Sequence, residues 1–222
     1  MKGVIHQKPP TMMRSRMDIS HLIHDFHSAY YWHRFGVETM PWMGVPMQKW
    51  PGDVMLYQQI LHESRPDVLV ETGSCYGGSA LFYAHMMDLI GHGRVISMDI
   101  RKLKRPEHPR ITYLKGDSVK LGATLADELQ GKKVMVSLDS DHAAPHVLAE
   151  LQLFAPMVTK GQYLVVEDTN LNGRPVWPGF GPGPYEALQE FKDGLGTTGF
   201  RDMELGGVHL FSYHTWLKKV AA

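Results

Sequence analysis

The stretch DVLVETGSCYGGSALFYAHMMDLIG, residues 67–91, joins a short β-rich run to a glycine loop and then to an apolar helical segment. Val68, Leu69 and Val70 form the unbroken apolar run expected of a strand covered on both faces. Gly73, Gly77 and Gly78 interrupt it, and the segment that follows has helical apolar spacing closed by Gly91. A strand turning through glycine into a helix is the opening unit of a parallel sheet.

The same alternation repeats outward from this unit. RVISMDI (94–100), ITYLKGD (111–117), KVMVSLD (133–139) and QYLVVED (162–168) read as strands. SVKLGATLADELQ (118–130), HVLAELQLFAPMV (146–158) and PYEALQEFKDGL (184–195) read as helices, and VHLFSYH (208–214) as a closing strand. The pattern predicts an α/β fold: a doubly wound, mainly parallel Rossmann-like sheet with right-handed crossovers and ligands at the carboxyl ends of its strands. Upstream, residues 1–16 look poorly ordered and 17–34 helical, with His21, His24 and His27 on one face as packing residues. MPWMGVPMQKWPGDV (40–54), with three prolines and two tryptophans, reads as a non-regular arm, and Asp53 as the N-cap of VMLYQQILHESR. Two units follow: an N-terminal helix and arm, 1–54, serving as lid or oligomer contact, and an α/β domain, 55–222.

The composition narrows the function classes. Among 222 residues, 23 basic side chains balance 23 acidic ones, and no basic run tracks a nucleic-acid backbone. Cys75 is the only cysteine, which excludes an intramolecular disulfide and suits a reducing compartment. No apolar run approaches the ~18 residues that span a bilayer, and the first twenty residues lack the apolar core of a secretory signal. The expectation is a cytoplasmic protein with a small-molecule partner, no nucleic acid and no membrane, acting as a homo-oligomer.

The G-x-x-x-G-G loop differs from the dinucleotide G-x-G-x-x-G and lacks the Lys and Ser/Thr of a phosphate loop. Its surroundings suit S-adenosylmethionine, which carries a ribose and an amino-acid tail but no phosphate. Glu71 ends the first strand, where it meets a cationic ligand or orients the loop. Gly73, Tyr76, Gly77 and Ser79 belong to the loop and helix start. Asp99 ends the second strand, placed to accept both ribose hydroxyls, and Asp117 and Ser118 follow the third, near an adenine edge. A nicotinamide dinucleotide would also use Asp99 but prefers the other glycine spacing.

Asp139 ends the fourth strand and Glu167-Asp168 the fifth. Neighbouring tips would bring three carboxylates together beside the cofactor, and like charges that close need a counterion. All-oxygen ligands favour Mg²⁺, with Mn²⁺ or Ca²⁺ as alternatives. His142, three residues beyond Asp139, is placed to act as general base for a hydroxyl whose pKa the ion lowers. Asp141 reads as a solvent or helix-capping residue. NLNGRPVWPGFGPGPYEAL forms a long loop whose Trp177, Phe180 and Tyr185 offer stacking surfaces and whose Asn170 and Asn172 offer hydrogen bonds. Trp42, Gln48, Lys49 and Trp50 are placed to close the opposite side of the cleft.

VETGSCYGGSALFYA, GHGRVISMDI, RPEHPRITYLKGDS, LDSDHAAPHVLAEL, VVEDTNLNGRPV and GPGPYEAL, with WMGVPMQKWPGDVMLYQQI upstream, resemble the cephalosporin hydroxylase family over roughly residues 41 to 191. Despite its name, that resemblance implies a class I S-adenosylmethionine-dependent methyltransferase fold, related to metal-dependent sugar O-methyltransferases of macrolide and enediyne biosynthesis. It implies Asp139, Glu167 and Asp168 as metal ligands, Asp139 also beside the cofactor, and His142 as base. The expected activity is Mg²⁺-assisted methyl transfer to a hydroxyl of a sugar or other small natural product. GGVHLFSYHTWLKK and the His-rich helix depart from any particular member. An iron/2-oxoglutarate oxygenase, as the name suggests, would need a facial triad on a double-stranded β-helix, which this alternation does not supply. A non-catalytic partner subunit is the remaining alternative.

Overall fold

The computed structural model describes residues 20–34, 40–195, 199–203, 212 and 214–221. Five strands run parallel: β1 (Val68–Thr72), β2 (Arg94–Asp99), β3 (Ile111–Lys115), β4 (Val134–Leu138) and β5 (Tyr163–Val166). β6 (Phe200–Asp202) and β7 (Thr215–Lys219) complete the sheet, with β7 antiparallel to both of its neighbours. The order across the sheet is β3-β2-β1-β4-β5-β7-β6. The winding reverses between β1 and β4, so the tips of these two strands flank the switch-point crevice.

The helices are α1 (Ser20–Arg34), α2 (Pro51–Ser64), α3 (Gly78–Ile90), α4 (Ser118–Gly122), α5 (Ala126–Leu129), α6 (Ala144–Phe154) and α7 (Pro184–Leu195). Successive strand residues serve opposite faces. Val68, Val70, Val136 and Leu138 pack with Leu151 and Phe154 of α6 and Leu188 of α7. Leu69, Met135 and Val165 pack with Tyr57 and Ile60 of α2 and Tyr83 and Met87 of α3. Both faces are covered, which is why these strands read as apolar runs rather than as alternating ones. Each such side chain contributes about 1.5–3 kcal/mol on burial.

Three elements depart from the sequence reading. The helix expected over 118–130 is two short ones, because Gly122 lies against the Phe154 ring with no space for a Cβ and the chain breaks after it. α2 starts at Pro51, whose missing N–H costs nothing at a helix start. Asp53 therefore lies inside the first turn, fully buried, and does not cap the helix. The closing strand is β7, beginning at Thr215; most of VHLFSYH lies outside the described residues, as do residues 1–16. In α1, His27 is buried edge-on against Trp50 while His21 and His24 are exposed, so the three histidines form no cluster.

Candidate active site

A cavity of about 540 Å³ opens at the carboxyl ends of β1, β2, β4 and β5. Gly73 sits at its centre with φ +85°, and a Cβ there would collide with the Asp139 carbonyl oxygen. Glycine thus lets the β1 loop and the β4 tip touch, and the Thr72 hydroxyl reinforces the contact by accepting the Asp139 N–H at 3.1 Å. Gly77, at φ +83°, turns the loop into α3 beside the Tyr113 hydroxyl.

The cavity wall includes Gly73, Ser79, Asp99, Asp117, Ser118 and Asp139. Asp99 accepts the Cys75 N–H at 2.8 Å and the Arg101 N–H at 2.7 Å, with the Arg105 guanidinium 3.3 Å away. Burial would raise its carboxyl pKa, but these donors win and hold it below the usual carboxylate range. Asp117 caps α4 through the Lys120 N–H, and Ser118 donates to the buried Glu150. Three expected positions lie off the wall: Glu71, Tyr76 and Gly77. Tyr76 points to solvent. Glu71 is fully buried beneath the loop and accepts the Ser97 hydroxyl, while Ser97 in turn pairs with Ser74 of the loop at 2.5 Å. Its work is to support the loop. Burial pushes the Glu71 carboxyl up to about 7, against the opposing pull of Lys49.

At the β4 and β5 tips, His142 Nε2 lies 3.0 Å from Asp168 Oδ2 and 3.6 Å from Asp139 Oδ1. Asp139, His142 and Asp168 each present one ligand atom, all within 4.8 Å of one another. Partial burial would lower the His142 pKa, yet Asp168 and Asp139 outweigh it and raise it to about 11. Asp168 adopts φ +54°, a strained conformation for a non-glycine residue, and its N–H is taken at 2.9 Å by His214 Nδ1. Because Nδ1 accepts there, the ring proton sits on Nε2, which lies 2.8 Å from Glu167 Oε2 and 2.9 Å from Asp53 Oδ2. Burial drives the Asp53 carboxyl pKa up, against the opposing pull of His214.

Glu167 is the remaining member of the expected ligand trio. It is buried and turned onto protein groups: Lys49 Nζ at 2.7 Å and Tyr57 OH at 2.5 Å meet Oε1, and His214 meets Oε2. Lys49, 2% exposed, also reaches Asp139 Oδ2 at 2.6 Å. Burial alone would drive the proton off Lys49, but Asp139 and Glu167 hold its pKa well above the ordinary value. Among the described residues, the group able to hold a divalent cation is Asp139, His142 and Asp168.

One side of the cavity is aromatic. Tyr31 and Trp177 line the cavity, and Phe180 sits 5.5 Å from Trp177 and 6.4 Å from His142 between ring centroids. Gln48 and Lys49 also line it. Trp42 packs on Phe82, Trp50 on His27, and Tyr185 lies under Arg174, all off the wall. Asn172 is held by Glu186, and Asn170 is buried away from the cavity. Asp141 is exposed and accepts the Ala143 N–H ahead of α6.

Sequence reasoning missed His214, read Asp53 only as a helix cap and assigned Lys49 only to the cleft rim. The available signal was their setting: a lysine between Gln48 and Trp50, and an acid one turn into an apolar helix, are poorly placed for solvent.

A sheet ordered 3-2-1-4-5-7-6, with a glycine loop after β1 and acids after β2 and β4, defines a class I S-adenosylmethionine-dependent methyltransferase fold. Its long crossovers carry helices on both faces, which excludes the double-stranded β-helix of the oxygenase alternative. The chain belongs to the family described as Rhamnosyl O-methyltransferase/CmcI, whose model matches residues 34–212, and it is an O-methyltransferase of that family. This is the cephalosporin hydroxylase family to which the sequence motifs pointed. The chain is 42% identical over 177 residues to a Rhamnosyl O-methyltransferase of Mycobacterium leprae (strain TN), covering 76% of each chain. It is 38% identical over 180 residues to the Rhamnosyl O-methyltransferase of Mycobacterium bovis (strain BCG / Pasteur 1173P2), covering 76% of this chain and 72% of that one. A solved structure described as cmcI-D160 Mg-SAM superposes with a TM-score of 0.58 at 23% identity, covering 82% of this chain and 77% of the other.

Proposed function

We propose that this protein transfers a methyl group from S-adenosylmethionine to a hydroxyl of a sugar, with a divalent cation, Mg²⁺ first, held by the carboxylates of Asp139 and Asp168 and with His142 as the base beside it. The observation that carries the reading is the convergence of those three side chains at the rim of the cavity that also holds Asp99 and the glycine loop. The relatives named rhamnosyl methyltransferases supply the substrate class, and the structure described with Mg and SAM supplies the cofactor pair.

Asp99 accepts the ribose hydroxyls, Asp117 and Ser118 border the adenine, and Gly73 and Ser79 leave room for the amino-acid tail. A bound divalent cation would acidify the acceptor hydroxyl, and the sulfonium would supply the activated methyl. Asp139 and Asp168 orient their carboxylates toward one point, and Tyr31, Trp177 and Phe180 offer apolar faces on which a pyranose can stack. His142 carries a proton at Nε2 because two carboxylates hold it there. With those carboxylates engaged by a cation, Nε2 would release that proton to solvent and then take the hydroxyl proton as the methyl passes from sulfur to oxygen. Holding donor and acceptor in line supplies much of the rate.

The direct test is a calorimetric titration with S-adenosylmethionine, with and without Mg²⁺, followed by methyl transfer to a panel of rhamnosides. Cofactor binding near the micromolar range (about 8 kcal/mol), and turnover abolished by a chelator and restored by Mg²⁺, are expected. Turnover unaffected by chelation removes the cation from the reaction, and no binding of either ligand favours the non-catalytic subunit.

A further inference from the structure

Glu150 is an acid on an apolar helix face. The buried side of α6 also carries Val147, Leu151 and Phe154, and Glu150 is itself fully buried among them. Groups from three elements meet at its Oε1: the Ser118 hydroxyl at the start of α4, the Ser140 hydroxyl just past the β4 tip at 2.7 Å, and His146 Nε2, one turn earlier on α6, at 3.4 Å. Ser118, Ser140 and His146 line the cavity, and Glu150 lies behind them. A buried polar group is costly unless it is hydrogen-bonded. Oε1 has gathered these donors, while Oε2 has no hydrogen-bond partner among the described residues. The methyl-transfer chemistry makes no use of this acid.

We infer that Glu150 is a positioning residue that sets base specificity, by turning the Ser118 and Ser140 hydroxyls into acceptors that take a 6-amino purine and reject a 6-oxo one. This rests on the cofactor reading proposed above, with the base beside Asp117 and Ser118. A serine hydroxyl has one proton and two lone pairs. Both protons here go to Glu150 Oε1, so each hydroxyl keeps only lone pairs for the cavity. His146 obeys the same constraint. With the Ser118 proton committed to Glu150, His146 Nε2 is the donor in its 3.1 Å contact with Ser118 Oγ. The hydrogen bond to Glu150 raises the His146 pKa, and with it the hold on that proton; Asp141 and Asp117 add to the effect, and burial opposes it. This end of the wall is therefore a set of acceptors. The 6-amino group of adenine brings the donors such a wall requires. The 6-oxo group of hypoxanthine brings one more acceptor, which leaves wall and ligand unpaired. Without an acceptor at position 150, the Ser140 proton could turn into the cavity and meet a 6-oxo group.

The experiment measures, by calorimetry, the Kd of S-adenosylhomocysteine and of S-inosylhomocysteine, its 6-oxo counterpart, for the full-length wild type, Glu150→Gln and Glu150→Met. The ratio of the two affinities decides, because an acid that merely braced α6 against α4 would lower both affinities together. Wild type is expected to favour the 6-amino ligand on the order of 10²-fold. Glu150→Gln, whose amide oxygen can stand where Oε1 stands, should keep that ratio to within about threefold. Glu150→Met, similar in length but without such an acceptor, should reduce it by at least about tenfold. An unchanged ratio in Glu150→Met, an equal loss in Glu150→Gln, or equal binding of both ligands by wild type overturns the inference and leaves the cofactor reading standing. Binding of neither ligand by wild type overturns both. Should Glu150→Met not fold, Ser140→Ala decides. Weaker binding of S-adenosylhomocysteine, with S-inosylhomocysteine held to within about threefold of wild type, supports the inference; parallel losses, or no change in either, overturn it.

Discussion

The β1–β2 side of the cleft and the β4–β5 side are built on different scales. On the cofactor side, Gly73, Asp99, Asp117 and Ser118 each follow directly from their own strand, and each lines the cavity where its strand ends. On the chemistry side, Asp139, His142 and Asp168 also sit at strand tips, but what surrounds them comes from far away in the chain. Lys49 arrives from the arm, Tyr57 and Asp53 from α2, and His214 from the turn before β7. Recognition of a nucleoside needs a shape that one βαβ unit supplies; balancing several buried carboxylates needs cations brought from elements distant in sequence.

That contrast can be broken at four points. The largest effect is expected at Asp139→Asn, which keeps the shape but removes the charge shared by Lys49 and the ion. Methyl transfer should fall by about 10³-fold while S-adenosylmethionine binding changes little, read by single-turnover kinetics and calorimetry. If cofactor affinity collapses equally, the two sides of the cleft are not separable.

Glu71→Gln tests the support beneath the cofactor loop through pH. The folded carboxyl, at about 7, lies above its ordinary value near 4.5, so the stability linked to it is complete below the lower value and is lost as pH rises through the higher one. Between pH 4.5 and 8 the wild type should lose about 3 kcal/mol of unfolding free energy through this group. Denaturant melts of Glu71→Gln should lack that decline; an identical decline would show Glu71 ionising freely.

Next comes His142→Gln. Both ligands should bind within about twofold of wild type, while the rate falls on the order of 10²-fold; an unchanged rate takes the proton elsewhere. The smallest effect is expected at Asp99→Asn, where losing a charged acceptor for the ribose hydroxyls should raise KM for S-adenosylmethionine by about 10- to 30-fold. Saturating cofactor should restore kcat. A kcat loss that persists at saturation would mean Asp99 reaches the chemistry.

The sheet was legible because its strands are apolar on both faces and its helix ends carry glycine: β1, α3 and β2 begin and end within a residue or so of their expected bounds. Asp53 misled because an acid one position before an apolar helical run looks like a cap, whereas Pro51 starts the helix and turns Asp53 inward. Glu71 was read as meeting a cationic ligand or orienting the loop, and its place beneath the loop fits the second. Strand alternation places Glu71 and Thr72 on opposite faces, and only the packing shows that the loop arches over the acid. Lys49 and His214 were unreadable as partners of Glu167, since no local pattern links residues so far apart in the chain.

The Asp168 backbone is held in its strained turn by an imidazole 46 positions further along the chain. During synthesis the nucleoside half can therefore form long before that imidazole emerges, and β7 must still insert between β5 and β6. The reactive rim is thus finished after the nucleoside half, and a chain cut short before His214 would retain most of a cofactor pocket while losing the anchor of its chemistry.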